Sequence, residues 1–191
     1  TEYAWWGAKT DADEIKFLVQ STDLCERSPT VQGYSWFKER LGKNRKLSIL
    51  DQQPGKLTPL GEVYVNMPVH DADVYYKIPG KLSAGRYVTM QDMQILPGDD
   101  GPASFVMEAQ KPNARCDYNL HVASAGEYTI KIQASGAESV VVEKSGVTLQ
   151  GKSGKDWTTL ETKLQLPAGN TPLRFVCSDK GQRVESIEFV K

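Results

Sequence analysis

The chain has 191 residues, of which 39% are hydrophobic and 25% are charged, and its formal net charge is -1. These values are typical of one or two folded domains and exclude a disordered tail. The near-neutral charge gives no basic surface, so we expect no nucleic-acid partner, and no apolar run approaches the roughly 20 residues that span a bilayer, so we expect no membrane partner.

The first part of the chain alternates strand and helix signals. TEYAWW at 1–6 predicts a strand, and DADEIKFLVQSTDL at 11–24 predicts a helix, because its apolar residues recur at near-helical spacing after acidic residues that suit a helix N-terminus. PTVQGYSWF at 29–37 predicts a second strand, and PLGEVYVNM at 59–67 predicts a short closing helix. Because a helix joins the two strands, we expect the strands to be parallel.

The second part of the chain consists of short alternating runs separated by Gly, Pro, Asn and Asp. Seven segments predict strands: CDYNLHV, GEYTIKIQA, ESVVVEK, VTLQG, WTTLETKLQL, TPLRFVC and VESIEFVK. In the second of these, Tyr128, Ile130 and Ile132 alternate with polar residues, which predicts one packed face and one solvated face. Short strands at regular spacing predict an antiparallel β-sandwich without a helix of ten or more residues.

These patterns divide the chain into a β-α-β-α part at residues 1–66, a linker at 67–79 and a β-sandwich at 80–191. The predicted fold class is therefore mixed.

Cysteine and histidine residues offer no metal site. Cys25, Cys116 and Cys177 are too far apart in sequence for a metal knuckle, and the odd number leaves at least one free thiol. Buried inert thiols and a single Cys116–Cys177 disulfide both remain open. His70 and His121 have no Cys or His at ligand spacing. We expect neither a metal nor a cofactor.

Three runs in the first part, TEYAWW, VQGYSWF and SILDQQPGKLTPLGEVY, resemble the last two strands and the closing helix of (β/α)8-barrel glycoside hydrolases. The likeness is to the glycosyl hydrolase catalytic-core group that includes endo-β-1,3-glucanases. It implies a partial barrel end in which Glu2 is the nucleophile of a retaining mechanism and Trp36 stacks against sugar. Trp5 and Trp6 are further candidate substrate-binding residues. An indole face suits the apolar face of a pyranose.

The resemblance is incomplete, because the family's acid/base residue belongs to a barrel strand that this sequence does not include. Glycoside cleavage by a retaining mechanism needs two carboxyl groups about 5 Å apart. The likeness therefore implies the C-terminal part of a longer enzyme, with the remaining part of the barrel as a partner. The alternatives are a solvated carboxylate at Glu2 and a core aromatic residue at Trp36.

Four runs in the second part, IPGKLSAGRY, CDYNLHVASAGEYTIKI, GKDWTTLETKLQLPAGNTPLRF and GQRVESIEFVK, resemble family-six carbohydrate-binding modules. These modules are jelly-roll β-sandwiches that are often appended to glycanases. The likeness implies that Trp157 lies at the sugar-binding edge and that Phe105 stands near the position of a stacking tyrosine. Arg183 stands where the family has a sugar-binding asparagine.

The family's calcium site is eroded in this sequence. Gly85 and Arg86 stand where the resemblance places acidic residues, while Glu185 keeps one acid. Calcium prefers several oxygen ligands, so we expect none to bind at this position.

Together the two resemblances imply the C-terminal part of a polysaccharide-degrading retaining endo-β-glycanase, secreted or located in the periplasm or at the cell surface. The implied substrate is a polysaccharide such as a β-glucan. A non-catalytic carbohydrate-binding or structural β-sandwich remains the alternative.

Overall fold

The computed structural model describes residues 2–36, 47–136, 139–143, 147–150 and 156–191. The chain forms two compact units, one of residues 1–69 with 95–104 and one of residues 70–94 with 105–191. Among the described helices, none combines the length and the apolar character that crossing a membrane requires.

The first unit has the predicted order of strand, helix, strand and helix. Its elements are β1 (Glu2–Tyr3), α1 (Asp11–Arg27), β2 (Ser35–Trp36) and α2 (Pro59–Asn66). The two strands are parallel, with Glu2 opposite Ser35 and Tyr3 opposite Trp36, which confirms the expected orientation. Both strands are shorter than the sequence predicts. The run TEYAWW leaves the strand after Tyr3, since the Ala8 N–H donates to the Trp5 carbonyl at 3.3 Å and closes a turn.

Local capping explains where the helices begin. At the start of α1 the Thr10 hydroxyl accepts from the Asp13 N–H at 3.1 Å, and the Asp13 carboxylate accepts from the Thr10 N–H at 3.0 Å. This reciprocal pair is a capping box with aspartate at the third helical position. At α2 the Thr58 hydroxyl accepts from the Gly61 N–H at 3.1 Å. Both helix starts are therefore fixed by residues that are close in sequence.

Close approach of the backbone to α2 requires glycine at one position. A Cβ atom placed on Gly61 would lie 2.0 Å from the Ile49 carbonyl oxygen. Leu60 and Val63 flank Gly61 and are buried with Leu18 and Val19 of α1 in the apolar core of the first unit. The two helices thus pack through small and aliphatic side chains.

The sandwich contains twelve strands: β3 (Tyr76–Ile78), β4 (Gly80–Ser83), β5 (Thr89–Gln91), β6 (Met93–Pro97), β7 (Phe105–Ala109), β8 (Ala114–Val122), β9 (Gly126–Ser135), β10 (Ser139–Val142), β11 (Val147–Gln150), β12 (Thr158–Leu166), β13 (Gly169–Cys177) and β14 (Arg183–Val190). One sheet has the order β11-β10-β13-β8-β3, with β5 also paired to β8. The other has the order β12-β9-β14-β7-β6, with β4 paired to β14.

The seven predicted strands are confirmed as β8 to β14. The described segments between 80 and 191 contain no α-helix. Among the strand pairs of the sandwich whose register the structure describes, all are antiparallel except the pair of β3 with β8. The sequence does not predict β3 to β7. These strands have three to five residues each, and β5 is separated from β6 only by Asp92, whose φ is 54°. Such short segments carry too little alternation to be recognised.

Residues 67–79, predicted to be a linker, include a strand of the sandwich. β3 pairs in parallel with β8, and Tyr76 lies opposite Leu120. The Asn119 side-chain amide donates to the Ala72 carbonyl at 2.7 Å. Residues 70–79 therefore belong to the second unit. The sequence does not predict this strand, because the segment is held by hydrogen bonds of the backbone and of the Asn119 amide. Such bonds do not require a periodic pattern of apolar residues.

The predicted packed face of β9 is confirmed, since Tyr128, Ile130 and Ile132 are fully buried. Cys116 and Cys177 are buried free thiols, so the disulfide alternative is not formed. Cys116 lies opposite Phe175 rather than opposite Cys177 in the β8–β13 register. Burial raises the pKa of the Cys177 thiol to about 12, which keeps it protonated and unreactive at neutral pH.

Candidate functional site

The structure distributes the predicted site residues over both units. Glu2 is exposed at the start of β1. Trp36 is only 6% exposed, and its indole N–H donates to the Leu47 carbonyl at 2.7 Å. The Tyr3 ring packs edge-to-face against Trp36 at 5.3 Å between centroids. This burial agrees with the alternative that Trp36 is a core aromatic residue of the first unit, and its stacking against sugar stays a prediction.

Trp5 and Trp6 follow β1 and are exposed by 43% and 60%. The Trp5 ring lies 5.9 Å from the Phe17 ring and lines an open groove of about 360 Å³ together with Asp13, Lys16, Phe17 and Gln20. The Trp5 N–H donates to the Glu14 carboxylate at 3.3 Å. Burial raises the pKa of Glu14 above its ordinary value. Sugar binding by the two tryptophans stays a prediction.

Phe105 is only 3% exposed on β7. Its neighbours Val106 and Met107 are also buried, so this strand packs on both sides at that point. The Phe105 ring is therefore buried in the sandwich, and a stacking role for it stays a prediction. The sequence could not show this, because the depth of a position in the sandwich depends on which strands cover it.

Trp157 and Arg183 lie at the same end of one sheet. Thr158 of β12 is opposite Ala134 of β9, and Arg183 of β14 is opposite Ser135 of the same central strand. Strands in a sheet are about 4.8 Å apart, so the two side chains belong to positions about 10 Å apart across the sheet. Trp157 is 37% exposed, and the Arg183 side chain is 50% exposed. Two of the predicted residues therefore lie at the same end of the sheet, about two strand spacings apart.

Polar side chains from β6, β7 and the following loop surround the Arg183 ion pair. The Arg183 Nε donates to the Glu108 carboxylate at 2.6 Å. Gln94 and Gln110 donate to the other Glu108 oxygen through their Nε2 atoms, at 2.9 and 3.2 Å. Burial alone would raise the pKa of Glu108, but the hydrogen bonds from Arg183 and the two amides hold that pKa below its ordinary value. Glu108 is therefore ionised at neutral pH.

We call Gln94, Glu108, Gln110, Trp157 and Arg183 the loop-end cluster. Sequence reasoning missed three of these residues, Gln94, Glu108 and Gln110, because they are 73 or more positions away from Arg183 in the chain. One signal was available: Glu108 is the only charged residue in the otherwise apolar segment FVMEA.

Loop hydrogen bonds support this end of the sandwich. The Gln110 N–H donates to the Asp92 carbonyl at 2.8 Å, and the Gly181 N–H donates to the Ala109 carbonyl at 2.7 Å. The Lys111 ammonium lies 2.8 Å from the Asp92 carboxylate. These contacts fix the backbone from which the loop-end cluster projects.

The residues at the position of the family's calcium site, Gly85, Arg86 and Glu185, lie among contacts within the protein. The Ala84 N–H donates to the Glu185 backbone carbonyl at 2.8 Å, and the Arg86 guanidinium lies 5.5 Å from the centre of the Tyr76 ring. Gly85 is buried and offers no side-chain ligand. Over the described residues, no three His, Cys, Asp or Glu side chains group as metal ligands would. The expectation that calcium does not bind here stays a prediction.

Comparison with known proteins finds different relatives for the first part of the chain and for the sandwich. Residues 1–64 match a family model described as the glycosyl hydrolase catalytic core. Among curated protein sequences, none matches the chain.

Two solved family-six modules share the sandwich fold. One, from Cellvibrio mixtus lichenase 5A in complex with cellotriose, has a TM-score of 0.51 at 17% identity and covers 59% of this chain and 97% of its own. The other, a β-1,3-glucan-binding module from Bacillus halodurans, has a TM-score of 0.52 at 15% identity and covers 62% and 100%. A Bacillus thuringiensis Cry1Da tryptic core variant also has a TM-score of 0.52, at 8% identity, covering 61% and 24%. The family model supports the resemblance of the first part to a glycosyl hydrolase catalytic core. The solved structures support the resemblance of the second part to family-six modules, and this likeness is one of fold.

Proposed function

We propose that the chain is the C-terminal part of a secreted polysaccharide-degrading glycoside hydrolase whose β-sandwich binds the glycan. The observation that carries this proposal is the order of the two parts in one chain. A segment matching a glycosyl hydrolase catalytic core is followed by a sandwich with the fold of family-six carbohydrate-binding modules.

The first unit supplies the geometry of a barrel end in this proposal. β1 and β2 are parallel and joined through α1, which is the repeating arrangement of a (β/α)8 barrel. Parallel strands are normally covered on both faces and paired at their edges, so a two-stranded parallel sheet is incomplete by itself. The remaining part of the barrel would complete it.

Glu2 acts as the nucleophile in the proposed retaining reaction. Its carboxylate attacks the anomeric carbon as the glycosidic C–O bond breaks, and a second carboxyl group donates a proton to the leaving oxygen. Water then hydrolyses the glycosyl ester, with the second group acting as the base. The exposed position of Glu2 leaves its carboxylate accessible. The second carboxyl group would belong to the remaining barrel.

Activity of the full parent protein tests the catalytic part. We expect reducing-sugar release from laminarin or mixed-linkage β-glucan by the parent, loss of turnover in Glu2→Gln, and no turnover by the 191-residue chain alone. Glu62→Gln, an exposed glutamate on α2, is the matched control and should keep full activity. Full activity of Glu2→Gln, or hydrolysis by the isolated chain, would refute the assignment.

A non-catalytic glycan-binding role is the second candidate, and it is favoured by the exposed Trp157 beside a fixed polar cluster. Aromatic faces and orienting hydrogen-bond donors are the usual components of a sugar site. The two solved modules are titled as a cellotriose complex and as β-1,3-glucan binding, so β-glucan oligosaccharides are the first probes.

Isothermal titration of the 191-residue chain with cellohexaose and laminarihexaose tests this role. Trp157→Ala should weaken binding at least about tenfold, which corresponds to about 1.4 kcal/mol. Tyr75→Ala is a matched control, since Tyr75 is an aromatic residue of similar exposure outside the cluster. Equal losses in both variants would exclude Trp157 as the sugar platform.

A further inference from the structure

The second unit contains two arginines that are bound in different ways. Arg174 is saturated by carboxylates: its Nε and Nη2 donate to Asp117 at 2.5 and 2.9 Å, and its Nη1 donates to Glu143 at 3.0 Å. Arg183 contacts Glu108 through Nε alone, and over the described residues its two Nη groups make no further hydrogen bond. Arg174 is thus a structural link between strands, whereas Arg183 keeps a donor edge for another group.

The geometry of the guanidinium defines what that edge can hold. Nη1 and Nη2 present two parallel N–H groups that match the two oxygens of a carboxylate or a sulfate. The Glu108 carboxylate accepts hydrogen bonds from Gln94 and Gln110 as well as from the Arg183 Nε, and it thereby fixes the Arg183 side chain. Glu108 is 17% exposed and Arg183 is 50% exposed, so the pair points its positive end toward solvent. A fixed donor pair loses little conformational entropy on binding an anion.

Two further carboxylates belong to adjoining loops. Asp92 is paired with Lys111 at 2.8 Å, whereas Asp179 accepts from the Ser178 hydroxyl at 2.6 Å, a neutral partner that does not balance a carboxylate charge. Trp157 lies about two strands away on the same end of the sheet, within the length of a few sugar rings. An oligosaccharide that stacks on the Trp157 indole therefore places its neighbouring residues within reach of Arg183.

We propose that the loop-end cluster selects glycans that carry an anionic substituent, a carboxylate or a sulfate ester, which the Nη edge of Arg183 binds. This inference rests on the proposed function, because it requires that the cluster binds glycan. It adds the substrate class: a neutral hydroxyl offers one oxygen to the donor pair, whereas an anionic group offers two and a charge.

Matched oligosaccharides that differ in one substituent test the proposal on the 191-residue chain. The probes are laminarihexaose and cellohexaose, and the same oligosaccharides bearing 6-carboxylate or 6-sulfate groups, titrated at low and at moderate salt. We expect at least one anionic form to bind about tenfold more tightly than its neutral parent, with a difference that decreases as salt rises. The carboxylate and sulfate arms identify the source of the anion.

Arg183→Gln should remove the preference, so that the anionic and neutral forms bind with equal affinity. Arg183→Lys keeps the charge but not the fork, so it should also lose most of the preference, and it guards against an effect of unpairing Glu108. Lys81→Gln removes one exposed charge elsewhere on the sandwich and should change nothing. Thermal melting establishes that each variant is folded.

The outcomes separate the two proposals. If neutral oligosaccharides bind and the anionic forms bind no more tightly, or if Arg183→Gln keeps the preference, the anion inference is refuted while glycan binding stands. If no oligosaccharide of either kind binds, glycan binding at the cluster fails and the inference fails with it.

Discussion

Replacing Glu108 by glutamine tests whether the loop-end cluster is held together by charge. The Glu108 side chain is 17% exposed and accepts from Arg183, Gln94 and Gln110. Hydrogen bonds to a charged group contribute about 1.5–3 kcal/mol when buried, and exposed ion pairs contribute about 0–1 kcal/mol. Since Arg183 is half exposed, we expect Glu108→Gln to lower the free energy of unfolding by about 1–2 kcal/mol at pH 7. For a domain of this size that is a fall of about 4–8 °C in Tm.

The pH dependence gives this prediction a direction. Despite burial, the three donors hold the pKa of Glu108 below its ordinary value of 4.5. A carboxyl group with a lowered pKa in the folded state stabilises the protein above the unfolded pKa, and this stabilisation is lost as pH falls through the folded value. The difference in Tm between wild type and Glu108→Gln should therefore be full at pH 6–7 and shrink as pH falls below about 4.5.

Differential scanning calorimetry from pH 7 to pH 3 measures both quantities. Glu127→Gln removes an exposed carboxylate, whose only described ion pair is with Lys163 at 2.8 Å, and it should change Tm by less than about 2 °C. A difference for Glu108→Gln that stays constant over the whole pH range would refute the electrostatic explanation. A difference no larger than that of Glu127→Gln would show that the cluster is not fixed by this carboxylate.

Two further predictions concern the cores. Gly61→Ala should destabilise the first unit by more than about 2 kcal/mol in chemical denaturation, despite the better helix propensity of alanine, because the new Cβ would lie 2.0 Å from the Ile49 carbonyl; a gain in stability would contradict the close packing. Iodoacetamide at pH 8 should modify half-buried Cys25 in the native chain but reach Cys116 and Cys177 only after unfolding, as read by mass spectrometry; rapid native labelling of all three thiols would contradict their burial.

Local signals account for the parts of the fold that the sequence predicts. Thr10 and Asp13 form the cap of α1 within four positions of each other, and the alternation of Tyr128, Ile130 and Ile132 follows from the pleat of one strand. Neither depends on distant parts of the chain, so both can be recognised from the sequence.

The burial of a side chain and its contacts with residues distant in sequence depend on how the strands pair, so they could not be predicted in the same way. An aromatic residue is a core side chain or a sugar platform according to what covers it, and the sequence predicted the second role for both Trp36 and Phe105, which are buried. The contact between Glu108 and Arg183 exists because β7 and β14 pair at that register. Resemblance pointed to Arg183, but only strand pairing shows that its partner is Glu108.

The parallel pairing of β3 with β8 decides where the sandwich can be separated from the rest of the chain. A recombinant module that starts at residue 80 lacks β3 and leaves the backbone of Leu120, His121 and Val122 without the neighbouring strand. An open edge of this kind promotes self-association of sheets. Starting at residue 70 keeps β3, the Asn119 contact to Ala72 and the His70 ring stacked on Tyr87 at 4.0 Å. Domain exchange between proteins of this architecture should therefore join chains ahead of His70, not between Pro79 and Gly80, where the predicted linker ends.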